Sequence, residues 1–201
     1  MARSFAIVPA AGHSRRMGHP KLLLPWRGVT LLEYVLSIWQ RSRVDETVVV
    51  IRGGDDELIE IATRLGVHTV IPEQDPEDMK TSVSLALKYL EQQLSPSQRD
   101  AWLLAPADLP GLSIDLIDHL LAAYDPEGPA VHLPTVEGRQ GHPVLFPWSL
   151  AADVHALGET EGVNALLQRA IVRELTWHDD AILHDIDTAD DYRRLGGETD
   201  G

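Results

Sequence analysis

An α/β fold built on a doubly wound, mostly parallel sheet is what this chain predicts, on three observations. Short β-rich runs alternate with helical patterns through the first half. Most of those runs are nearly all apolar, as strands covered on both faces of a sheet must be. The intervening segments are amphipathic and open on capping residues. With 201 residues, 44% of them hydrophobic, the chain can bury one substantial core. One domain is therefore expected over residues 1–195, with "GGETDG" at 196–201 as a disordered tail.

Taken in order, "SFAIV" at 4–8 is the first strand. Thr30 and Glu33 form a capping-box pattern, and Leu31, Val35, Ile38 and Trp39 share one face, so a helix is expected over 30–42. "ETVVVIR", a helix over 55–65, and "VHTVI" repeat the unit. The helix over 79–94 turns Val83, Ala86, Leu87, Leu90 and Leu94 inward and stops at "SPSQ"; "DAWLLA" follows as a strand. The second half is less regular. A helix near 113–124 ends before "DPEGP", and "AVHLP" and "GHPVLF" read as strands around the loop "TVEGRQG". Helices are expected near 148–157 and 162–171, and "RELTWH" and "AILHDI" as late strands, the latter entering a second capping-box pattern at Thr188–Asp191.

Charge and composition exclude several functions. The chain has 31 acidic and 17 basic side chains, a net charge of −14, which disfavours nucleic acid and anionic membranes as partners. The absence of cysteine excludes disulfides, a thiolate nucleophile and cysteine-based metal sites. The apolar run after Arg3 is too short for a signal peptide and no run approaches a membrane span, so a soluble cytoplasmic protein is expected. No GxSxG elbow and no HExxH spacing occurs, which weighs against a serine hydrolase and a dedicated zinc site.

Open α/β sheets bind ligands beyond the carboxyl ends of their strands, which directs attention to the loops there. In "VPAAGHSRRMGHPK", the small residues Ala10, Ala11 and Gly12 allow close approach of backbone N–H groups to an anion, and Arg15, Arg16 and Lys21 can surround phosphate oxygens. Its two glycines fit neither GxxxxGK[ST] nor the three-glycine dinucleotide fingerprint. Asp108 in "LLAPADLP" is a carboxylate at a strand's end, placed for a magnesium ion or simply for a turn. Asp187 in "HDIDTADD" is the better partner for it; Asp185 points the same way if that segment is extended, and helix capping is the alternative. In "MKTSVSLAL", Ser82 stands at a helix start where a base or sugar could bind, with ordinary N-capping equally open. In "GRQGHPVLF", Arg139, Gly141 and His142 lie on a loop that could close over a second, anionic substrate, although His142 could equally be a packed histidine.

Together these five segments, in one order from residue 8 to 192, resemble the molybdenum-cofactor nucleotidylyltransferases, within the MobA-like superfamily that includes sugar-phosphate and methylerythritol-phosphate nucleotidylyltransferases. The resemblance implies a Rossmann-like three-layer α/β/α fold of nucleotide-diphospho-sugar transferase type. It places Ala11, Gly12, Ser14, Arg16 and Lys21 on the triphosphate loop, Ser82 on the nucleotide, Asp108 and Asp187 on Mg2+, and His142 with its neighbours on the acceptor. "AAG" at 10–12, where the guanylyl-transferring subgroup usually has "AGG", resembles the cytidylyl-transferring subgroup; Lys80 and Thr81 depart from the expected small, hydroxyl-rich pattern. The implied reaction moves CMP from CTP onto a phosphorylated acceptor such as molybdopterin and releases pyrophosphate, with an acceptor molybdoenzyme or its chaperone as a further partner. The alternatives are guanylyl transfer, another phosphorylated small-molecule acceptor, a non-catalytic nucleotide-binding accessory protein, and an NAD(P)-dependent oxidoreductase. The last would place Asp55 or Asp56 on a ribose, without the third glycine that reading requires.

Overall fold

The computed structural model describes residues 2–14, 17, 18 and 20–197. Its central sheet is built as the alternation predicts. Strands β1 (Ser4–Pro9), β2 (Pro25–Trp26), β3 (Val29–Thr30), β4 (Glu46–Val50), β5 (His68–Val70), β6 (Ala101–Leu104), β7 (Val131–Val136), β8 (Arg139–Gln140), β9 (Val144–Pro147) and β10 (Val172–Thr176) are joined by helices. These are α1 (Leu31–Arg41), α2 (Asp56–Leu65), α3 (Met79–Leu94), α4 (Ile114–Ala123), α5 (Ala151–His155) and α6 (Ala189–Arg194). The main sheet runs β10-β7-β9-β6-β1-β4-β5, with β8 added to β7. β4, β1 and β6 pair in parallel, as do β4 with β5 and β7 with β10, while β9 runs antiparallel between β6 and β7. The fold is therefore a mostly parallel three-layer α/β/α sandwich.

Alternation along β1 explains the layering. Ala6 and Val8 face a core shared with α1, α2 and α4, whereas Phe5 and Ile7 face a second core against α3 and α5. Both layers are filled by large buried side chains: Trp39 in the first and Trp102, stacked on Phe146, in the second. Thr30 caps α1 by accepting the Glu33 N–H, but the reciprocal half of the expected box does not form; the Glu33 carboxylate pairs with Arg64 at 2.7 Å. At Thr188 both halves of the box form with Asp191.

Three expectations are corrected. Residues 163–168 form 3-10 turns rather than an α-helix, and 148–157 divides into a 3-10 turn at 148–150 and the short α5. "AILHDI" is no strand: 180–183 is a 3-10 turn, followed by a segment without sheet pairing. That segment is held from outside the sheet, by the Ile186 N–H on the Asp108 carbonyl at 2.9 Å and the His142 N–H on the Ile182 carbonyl at 3.3 Å. The loop "TVEGRQG" is a hairpin in which β8 pairs with the end of β7. The expected tail enters the structure only as Gly196 and Gly197; 198–201 lie outside the described residues. No helix among the described residues is long and apolar enough to cross a membrane.

Candidate functional site

A cleft of about 470 Å³ opens where the parallel strands β1 and β6 end. Ala10, Ala11, Gly12 and Ser14 form one wall, Asp78, Met79 and Ser82 at the start of α3 another, and Asp108, Asp187 and Lys21 the end. The first loop is fastened at its base, since the Ala10 N–H already donates to the Val50 carbonyl at 2.9 Å and Ala107 to that of Pro9 at 3.1 Å. The contribution of Ala10 is thus wall and not donor. Ala11 is 7% exposed, so its methyl group packs into the wall more than it projects into the cleft. Ser14, in the left-handed region at φ 48°, turns the chain, and its hydroxyl accepts the Lys21 N–H at 3.2 Å, closing the loop on itself. Arg15 and Arg16 lie outside the described residues.

Lys21 does not reach into open space. Its ammonium pairs with Asp108 and also contacts the Ile186 carbonyl at 2.9 Å and Asp187 at 3.4 Å. Asp185, which the reading of the residues ranked below Asp187, completes the group: oxygens from Asp108, Asp185 and Asp187 all lie within 4.8 Å of one another. The segment 184–187, outside any helix or strand, brings both aspartates to Asp108 without the strand that was expected. Burial raises the Asp108 carboxyl above its ordinary range, against the opposing pull of Lys21, and its Oδ1 is buried with no hydrogen-bond partner among the described residues.

α3 begins on Asp78, which the sequence pattern missed; its carboxylate accepts the Thr81 N–H at 2.7 Å and the Thr81 hydroxyl at 2.7 Å. Ser82 lines the cleft but is 3% exposed. Lys80 is not among the described residues lining this cleft; it borders a second one and donates to the carbonyls of Gly158 and Glu159 at 2.7 and 3.1 Å.

Asp78 and Met79 also border a second cleft of about 410 Å³. Leu104, Leu133, Val144 and Phe146 line it from the sheet, and Gln140, His142 and Asn164 bring polar groups. His142 donates Nδ1–H to the Leu104 carbonyl at 3.3 Å, since a carbonyl can only accept, and burial holds its pKa below the ordinary range despite nearby Asp185 and Asp108. Gly141 lies where a Cβ would come within 2.7 Å of Ile182. Arg139 is exposed on β8 and is not among the described residues lining either cleft; its neighbour Gln140, which the sequence reading passed over, is. Asn164 was missed as well; it lies in the stretch read as a helix over 162–171, where the sequence does not mark it as facing a cleft.

The MobA-like NTP transferase domain matches residues 6–176 of this chain. The chain is 27% identical, over 89% of its length and 86% of the relative's, to a protein of Bacillus anthracis described as a probable molybdenum cofactor guanylyltransferase. Among solved structures it is similar to Rv0371c of Mycobacterium tuberculosis, with a TM-score of 0.82 and 26% identity over 96% of this chain and 97% of that one. A manganese complex of Rv0371c superposes with a TM-score of 0.78 at 24% identity, covering 96% and 98% of the two chains. The match over residues 6–176 spans most of the chain, so the chain belongs to the MobA-like NTP transferase domain family and is a nucleotidyltransferase.

Proposed function

We propose that the cleft beneath the first loop binds a nucleoside triphosphate and that the protein transfers CMP from CTP to a phosphorylated acceptor of molybdopterin type, releasing pyrophosphate. The observation that carries this reading is the meeting, in one cleft, of the small-residue loop Ala10–Ser14, Lys21 and the carboxylates of Asp108 and Asp187, with Asp185 close beside them. Those carboxylates fit a divalent cation, since hard oxygen donors suit magnesium or manganese and the buried Oδ1 of Asp108 has no hydrogen-bond partner among the described residues. Magnesium bound there would neutralise phosphate charge and polarise the α-phosphate.

The chain's own groups do the rest. Transfer between anions depends on positioning and on charge stabilisation more than on a protein nucleophile. Lys21, with Arg16 on the same loop, stabilises the leaving pyrophosphate, and Ser82 and the loop wall hold the nucleoside. The second cleft holds the acceptor: its apolar floor takes a flat ring system and Gln140, His142 and Asn164 read the ring's polar edge. His142, held neutral, orients the acceptor without adding charge. The two clefts meet at Asp78 and Met79, which brings the acceptor phosphate beside the nucleotide.

The cytidylyl preference rests on the resemblance of "AAG" at 10–12 to the cytidylyl-transferring subgroup. Guanylyl transfer from GTP is the second reading, favoured by the description of the Bacillus relative. A thermal-shift panel of CTP, GTP, ATP and UTP with magnesium separates them. Selective stabilisation by CTP is expected, selectivity for GTP establishes the second reading, and no response to any nucleotide overturns both. Pyrophosphate release on adding molybdopterin then tests the acceptor.

A further inference from the structure

We propose that Lys21 is a built-in counter-cation for the carboxylate cluster, filling it in the nucleotide-free protein and giving it up when a divalent cation enters together with the triphosphate. The inference rests on reading the cleft as a metal and nucleotide site. Its consequence is an order of binding: metal alone binds weakly, and metal with nucleotide binds well.

An ammonium has three N–H donors, and here there are three acceptors for them: the Asp108 carboxylate, the Ile186 carbonyl at 2.9 Å and Asp187 at 3.4 Å. The Lys21 side chain is only 13% exposed, so these contacts replace its water. The position is fixed from the backbone as well, because Lys21 opens a 3-10 turn and its N–H is held by Ser14. Oxygens of Asp108, Asp185 and Asp187 lie within 4.8 Å of one another, so a metal entering this group meets the ammonium at close range. Two cations there repel strongly in a partly buried setting. Asp108 is the carboxylate that Lys21 approaches most closely, so it is the one whose charge the ammonium offsets. The four-carbon stem of lysine lets the charge swing a few ångströms to the phosphate oxygens with no backbone change. The lysine expected on the phosphates and the lysine found on the aspartates are then two positions of one side chain.

The test is equilibrium Mn2+ binding followed by EPR, on nucleotide-free protein and again with a non-hydrolysable triphosphate analogue. Without nucleotide, Lys21→Met is expected to bind Mn2+ ~10-fold or more tightly than wild type, as the loss of one adjacent positive charge requires. With the analogue the order reverses, because the variant lacks the cation that rewards the phosphates. Lys21→Gln, which keeps N–H donors without the charge, guards against misfolding of the first variant and must show the same tightening. Mn2+ binding to nucleotide-free Lys21→Met and Lys21→Gln that is no tighter than to wild type overturns the proposal. Asp108→Asn separates the two levels: if neither it nor wild type binds Mn2+ even with the analogue, the reading of the site as a metal centre fails too.

Discussion

Gly111 carries a strong and unexpected constraint on the site. It lies in the turn between Asp108 and α4, and a Cβ built on it would come within 2.1 Å of the Ala181 carbonyl oxygen and 2.3 Å of the carbonyl carbon. Those are backbone atoms, so Gly111→Ala cannot be absorbed by a rotamer change. Restoring ordinary contact at about 3.4 Å demands more than 1 Å of relative movement between this turn and the segment that leads to Asp185 and Asp187. That segment is anchored to the same turn by the Ile186 N–H on the Asp108 carbonyl at 2.9 Å, so the displacement falls on the carboxylate cluster. A misplacement near 1 Å is worth about 10²-fold in rate, and overpacking of this kind costs about 1–3 kcal/mol in stability. Pyrophosphate release should therefore fall about a hundredfold at temperatures where circular dichroism still shows a folded protein. Gly141→Ala is the milder companion, since the nearest atom there is the flexible end of Ile182 at 2.7 Å. Turnover at the wild-type level in Gly111→Ala would refute the argument that this glycine registers the acids.

Two further outcomes concern the acceptor side. Lys80→Met releases the carbonyls of Gly158 and Glu159, which hold the loop leading into Val163 and Asn164, so KM for the acceptor should rise several-fold while KM for the nucleotide stays within about twofold, in steady-state kinetics. His142, whose folded pKa lies below the ordinary value of 6.5, stays neutral where the unfolded chain takes up a proton. Stability contributed by the neutral ring is present above pH 6.5 and is lost as pH falls through and below that value, and thermal melts of His142→Gln should show a flatter acid limb than wild type.

What could be read from the sequence was what is local. The apolar strands β1, β4 and β6, the amphipathic α1 to α4, and the strand-end positions of Asp108 and the first loop all follow from periodicity and caps within a few residues. The site's assembly is not local. Lys21 meets Asp108 across 87 residues of chain and the Ile186 carbonyl across 165, which no spacing in the sequence encodes. The segment "AILHDI" alternates like a strand, but its backbone partners are turns and loops, and close approach at Gly111 and Gly141 decides its path. β8 shows the same limit on a smaller scale. In a two-residue strand, neighbours point to opposite faces, so Gln140 lines the cleft and Arg139 does not, a distinction that rests on the hairpin register of Thr135 with Gln140. The carbonyl partners of Lys80 are equally remote, 78 and 79 residues away.

The central claim is that the carboxylate end of the cleft supports nucleotidyl transfer, and Asp108→Asn tests it most directly because the side chain keeps its size and loses its charge. Pyrophosphate release should be measured with molybdopterin as acceptor and CTP or, separately, GTP as donor, with and without magnesium, for wild type and variant at equal folded concentration. The account predicts release by wild type that requires both a triphosphate and the divalent cation, and a drop of about 10²-fold or more in Asp108→Asn. Release that is indifferent to magnesium, or that survives in Asp108→Asn at the wild-type rate, would contradict it.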